Sequence, residues 1–119
     1  MANLEIKNFD TPDEVREMTN GRGEVVNIGG GQVLRVVLQP GWKWTEHVKP
    51  VAGTDLCEAP HFQYVISGHI AGVMADGTTF EGKPGDVFVL PPGHDAWVVG
   101  DEPVVGVDWG GAHVWAKHQ

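Results

Sequence analysis

Three of the six histidines and the single cysteine of this chain are candidate ligands for a metal ion: His47, His61 and His94, with Cys57 four residues before His61. Three neutral imidazoles that leave coordination positions open suit Zn²⁺, Fe²⁺, Mn²⁺, Ni²⁺ or Cu²⁺, and imidazole alone does not choose among them. A thiolate from Cys57 as a fourth ligand shifts the preference toward zinc. Imidazole ligates only when neutral, so binding at such a site is expected to weaken below about pH 6. Glu46 and Asp95 are the candidate proton carriers beside such an ion. Asp95 could equally cap its turn, or accept a hydrogen bond that orients an imidazole.

These side chains need strands to carry them. From Glu24 onward the chain reads as short β-rich runs separated by turn residues. Val25–Ile28 and Val33–Leu38 are split by three glycines, and His61–Ser67 follows a long aperiodic segment, 48–60, read as a loop of functional length. Alternation puts His61, Gln63 and Val65 on one face of the strand and Phe62, Tyr64 and Ile66 on the other. The half-polar face would line an interior cavity, and the aromatic face would pack on a second sheet or a subunit. Trp42–His47 alternates aromatic and polar residues and is read as another strand, so that His47, His61 and His94 converge from three strands. Asp76-Gly77 is a hairpin signal. Val87–Leu90 is an apolar run that reads as a strand buried on both faces, and Pro91-Pro92-Gly93 ends it just before His94. Ala96–Val99 and Val104–Trp109 make a further pair, and Val114–Ala116 a final short strand. Near the start, Thr11-Pro12-Asp13-Glu14 combines an N-cap, a first-turn proline and a capping box, which predicts a short helix over about 12–18. Asn20-Gly21 would end it.

Among these elements Trp44 and Trp97 serve as core packing or as apolar walls of a ligand pocket. Arg35, if inward, would hold a carboxylate; otherwise it is a solvated charge. Composition narrows the class. The 119 residues are 41% apolar and 20% charged, with 17 glycines, which together indicate one all-β domain with many tight turns. The arm and helix would occupy 1–22 and the barrel core about 24–116. A net charge of −8 disfavours nucleic acid and anionic membrane as partners. The start lacks a basic segment followed by an apolar core, and Cys57 has no partner cysteine, so a reducing cytoplasm is expected. Nucleotide-type glycine loops, serine elbows and paired-carboxylate spacings are absent from the sequence.

Gly85, five residues, Pro91, one residue and Gly93 match the second signature motif of the cupin family. The first motif is matched in part. Gly68 stands as its closing glycine, and His61, seven residues earlier, takes the place of the family's glutamate. Gly41 and five further residues lead to His47 in the place of the first histidine, while Lys49 replaces the second. The family's last histidine falls three residues after the motif glycine, where Ala96 stands; His94 lies two residues earlier. A two-residue shift along a strand keeps the face but moves a side chain by about 6–7 Å, so the turn must bend or the ion must lie nearer the barrel mouth. The chain thus resembles a cupin over about residues 30–110, with the 48–60 segment inserted in its first motif. The resemblance implies a jelly-roll barrel, the double-stranded β-helix, with one divalent transition metal. It also implies a small polar organic molecule in the cavity and a homodimer. Cupins of this kind include metal-dependent lyases, isomerases and oxygenases as well as non-catalytic binding or sensing proteins.

Overall fold

The computed structural model describes residues 3–110 and Trp115. Three strands lead: β1 (Glu14–Met18), β2 (Gly21–Ile28) and β3 (Gly31–Leu38). Two short helices follow, α1 (Trp44–His47) and α2 (Lys49–Ala52). Then come β4 (His61–Ser67), β5 (Ile70–Met74), β6 (Thr79–Gly82), β7 (Val87–Leu90), β8 (His94–Val98) and β9 (Val104–Asp108). One antiparallel sheet runs β1-β2-β3-β9-β4-β7, and a second runs β6-β5-β8. The core lies between them. Val25, Leu34, Val36 and Leu38 of the larger sheet meet Ile70, Ala96 and Val98 of the smaller one, with Trp42 and Trp44 filling the space at α1. This is the all-β jelly roll that strand spacing and turn chemistry imply. No helix among the described residues is long and apolar enough to cross a membrane.

The runs at 96–99 and 104–109, expected to pair, lie in different sheets: β8 pairs with β5, and β9 lies between β3 and β4. Four further local expectations are corrected. The segment expected as a helix at 12–18 is strand β1, paired with β2 from Glu14↔Val25 to Met18↔Gly21. Local capping signals lose there to a sheet edge that offers both hydrogen bonds and cover for Arg16, which is buried. The Asp13 carboxylate accepts from the Asn27 backbone N–H (2.7 Å) instead of starting a helix. Asn20, with φ at 60°, turns a hairpin rather than ending a helix. Second, Trp44–His47 is helical, and the 48–60 loop contains α2, with Pro50 in its first turn and Gly53 closing it. Third, β7 is an edge strand with one open face. Val87 is 60% and Val89 73% exposed, while Leu90 is buried. Fourth, Trp115 lies in a turn rather than a strand, and Val114 and Ala116 lie outside the described residues.

Gly68, the closing glycine of the first motif, shows why that position excludes side chains. Its φ is +82°, and a β-carbon would stand 2.4 Å from Pro103 O and 2.7 Å from Val104 Cα. Gly77 shares the left-handed backbone, at +91°, but nothing lies within 4 Å of its β-carbon position. Gly77→Ala should therefore cost only the conformational term, about 1–2 kcal/mol. Gly68→Ala should cost about 1–3 kcal/mol more, from the backbone it would strike. Urea unfolding of the two variants measures the difference, and equal losses would mean that Gly68 serves its turn alone.

Candidate metal centre

Cys57, His61 and His94 come together in the interior. Their ligand atoms all lie within 4.8 Å of one another, and all three residues are buried. Each arrives differently. His61 begins β4, on the inward face shared with Gln63 and Val65. His94 begins β8, immediately after the Pro91-Pro92-Gly93 turn. Cys57 ends the irregular segment after α2 and forms an antiparallel bridge with His94. In that bridge Cys57 N donates to His94 O (2.8 Å), and Gly93 N donates to Cys57 O (2.7 Å). The thiol is thereby delivered beside the two imidazoles. The site forms at the first rung of β8, and Ala96, one step further along the same face, is a plain wall of the cavity.

Both imidazoles are held in the tautomer that ligation needs. His94 Nδ1 lies 2.8 Å from Pro91 O. A carbonyl only accepts, so Nδ1 carries the proton and Nε2 keeps its lone pair. His61 Nδ1 is hydrogen-bonded to Asp108 Oδ2, and His61 Nε2 faces Cys57 Sγ at 3.7 Å. Asp108 is fully buried. Its Oδ1 accepts from Phe62 N (3.1 Å) and Gly110 N (2.8 Å), so the carboxylate is fixed by two backbone donors while it orients the ring. Outer carboxylate and carbonyl partners of this kind set the orientation and basicity of metal-ligating histidines.

The donor set fits a transition ion. A thiolate and an imidazole on one tetrahedral ion stand about 3.5 Å apart, given metal–sulfur and metal–nitrogen bonds of about 2.3 and 2.0 Å. The observed 3.7 Å between Cys57 and His61 is close to that. Burial pushes the Cys57 thiol up to about 12, so it stays protonated unless a cation displaces the proton. Burial pushes His94 down to about 4, against a smaller opposing effect of its bond to Pro91 O. His94 is therefore neutral far below the pH 6 limit expected for a free imidazole.

The enclosing cavity is small, about 30 Å³. That is room for one or two water-sized groups. Its wall is mostly apolar, including Val36, Leu38, Ile70, Phe80, Phe88 and Leu90; beside the three ligands, Gln63 and the indoles of Trp42, Trp44 and Trp115 bring polar atoms to it. Trp42 and Trp44 are buried, and neither Nε1 has a hydrogen-bond partner among the described residues.

The other residues expected at the site stand elsewhere. His47, on α1, does not join the cluster; its Nδ1 accepts from the backbone N–H of Lys43 (3.0 Å). The helical turn at 44–47 replaces the strand that would have pointed it inward. Glu46 is exposed on α1. Asp95 neighbours His94 but does not line the cavity: its carboxylate accepts from Thr45 N and Oγ1 (both 3.2 Å), pinning the start of α1 to β8. Arg35 is bound to Glu24 (2.8 Å) and Asp10 (3.1 Å) and lies over the Phe9 ring. Trp97 packs under the Lys43 ammonium, 5.5 Å from the ring centre, and is not part of the cavity wall. His69 pairs with Glu81 at the surface, and His113 and His118 lie outside the described residues.

Asp108 was missed from the sequence, although it left a trace. In Val104–Asp108 the even positions are Val104, Gly106 and Asp108, so strand parity puts a carboxylate on the core face. A buried carboxylate demands a partner.

No family model matches the sequence, and no curated protein does. Solved structures match in shape. Ectoine synthase from P. lautus aligns over 90% of this chain and 78% of its own, with a TM-score of 0.63 and 13% identity. A protein of unknown function from Rhizobium leguminosarum bv. viciae aligns over 92% of this chain and 99% of its own, with a TM-score of 0.61 and 14% identity. A sugar phosphate isomerase of the cupin superfamily from Silicibacter pomeroyi aligns over 76% of this chain and 58% of its own, with a TM-score of 0.52 and 24% identity. Likeness at such identities speaks for the fold, and with the motif glycines at their turns and two antiparallel sheets closing on one cavity, this chain is a cupin in fold.

Proposed function

We propose that this protein holds one divalent transition ion, zinc before iron, manganese, nickel or copper, through Cys57, His61 and His94, and takes a small polar organic molecule at the remaining position. The observation that carries the reading is the pair of buried imidazoles, each with Nδ1 tied to an oxygen acceptor, whose ligand atoms gather within 4.8 Å of a buried thiol. When bound, the ion would act as a Lewis acid toward an oxygen or nitrogen of that molecule. The chain's own residues do the rest. Asp108 orients His61, the apolar wall excludes water, and the unpaired Nε1 atoms of Trp42 and Trp44 offer donors to an oxygen-bearing ligand. Cytoplasmic placement fits the free thiol, since a reducing compartment keeps such a ligand available.

A binding or sensing role is favoured over acid–base catalysis by one feature. Neither Glu46 nor Asp95 lines the cavity, and the Asp95 oxygens are engaged with Thr45.

Because the thiol is held near 12, each ion bound near neutral pH should displace one proton from Cys57. Apparent zinc affinity should then rise about tenfold per pH unit between pH 7 and 8. Isothermal titration of the metal-free protein in buffers of different ionisation enthalpy reads that proton directly. Asp108→Asn should weaken zinc by about 10–100-fold, and Cys57→Ala should abolish the proton release. Full-affinity binding by His61→Ala and His94→Ala alike would refute the site.

We further propose a homodimer built on the outer face of the larger sheet. Phe62 pairs with Val89 and Tyr64 with Val87 across β4 and β7, and all four side chains are exposed, beside Ile66 and Trp109. A second copy is the occupant that fits a contiguous apolar face on an acidic chain, because a self-complementary contact covers both faces at once. Sedimentation at micromolar concentration should give a dimer, and Tyr64→Lys with Val89→Lys a monomer; a monomeric parent protein would overturn the assignment.

A further inference from the structure

Trp115 enters the cavity wall from the far end of the chain, and the larger sheet is shaped to receive it. The indole is buried and lines the same cavity as His61 and His94. Its carbonyl oxygen accepts a 2.7 Å hydrogen bond from Nη1 of Arg16, itself buried on β1. Gly23 on β2 provides the room, because a β-carbon there would lie 2.7 Å from Trp115 Cζ3. Arg16 and Gly23 are direct partners in the β1–β2 register, so the latch and the seat share one rung of the sheet.

We propose that Trp115 is a stopper for the cavity: latched by Arg16 and seated over Gly23, it sets the size of the molecule that fits against the Cys57–His61–His94 face. The inference rests on reading the cavity as a ligand site, but not on the metal. Seated, the ring leaves a space of about 30 Å³, too small for an organic molecule of even one ring. Apolar cavities that bind benzene are about 150 Å³, and loss of an indole opens space of that order. The Arg16 bond is charge-assisted and buried, and Arg16 is not part of the cavity wall, so its loss frees a backbone carbonyl without altering that wall.

Two measurements on the metal-free protein test the stopper. Benzene, titrated and followed by nuclear magnetic resonance, should bind Trp115→Ala at one site with shifts at cavity residues, and should leave the parent protein unchanged. Hydrogen exchange of the Trp115 indole N–H should be at least about tenfold faster in Arg16→Met, as expected for loss of one charge-assisted hydrogen bond. The second measurement decides the matter if Trp115→Ala does not fold. Benzene binding to the parent protein as tightly as to Trp115→Ala, or unchanged exchange in Arg16→Met, overturns the proposal. Absence of metal binding would sink the metal reading and leave both of these results decisive.

Discussion

The backbone bridge between Cys57 and His94 is the contact on which the interior depends. It ties the end of an irregular segment to the first residue of β8 through hydrogen bonds of 2.7–2.8 Å. Without it Cys57 would belong to a loop; with it the thiol lies inside the barrel beside two imidazoles. Gly93 makes the geometry possible. Its φ of 93° lets the chain leave the two prolines and present both its own N–H and that of His94 toward Cys57. One motif glycine thus serves the fold and the site together.

A second constraint is neutrality. An apolar cavity penalises charge, and both shifted groups obey it: burial raises the Cys57 thiol and lowers His94, so each is uncharged near pH 7. The Asp108 side chain is fixed beside them by two backbone donors and by its bond to His61. Such a pocket tolerates one divalent cation well. The cation would be offset in part by the new thiolate, which lowers the net charge that the wall must accommodate. A thiol and two oriented imidazoles therefore make more physical sense as a latent cation site than as three residues that happen to pack.

Much of this was legible in the sequence, for reasons that differ by residue. Period-two alternation at His61–Ser67 put His61, Gln63 and Val65 inward, and their burial follows that pattern. The turn spacing around Gly85, Pro91 and Gly93 identified the motif that sets His94 at a strand start. Pairing decided what local signals could not. Thr11 to Glu14 carries genuine helix-start chemistry, yet the edge of β2 offers five residues' worth of pairing that an isolated two-turn helix cannot match. His47 failed for a similar reason: Trp44 buries itself as the first residue of a helical turn pinned by Asp95, and the turn carries His47 away from the cluster. Trp115 and Arg16 meet across 99 positions of sequence, a contact that no local pattern encodes.

X-ray absorption at the zinc edge of the zinc-loaded protein tests the central claim most directly, because it counts the atoms that hold the ion. One sulfur at about 2.3 Å and two nitrogens at about 2.0–2.1 Å, with the outer-shell scattering of imidazole, are expected from Cys57, His61 and His94. A first shell of nitrogen and oxygen without sulfur, or one without imidazole scattering, would contradict it.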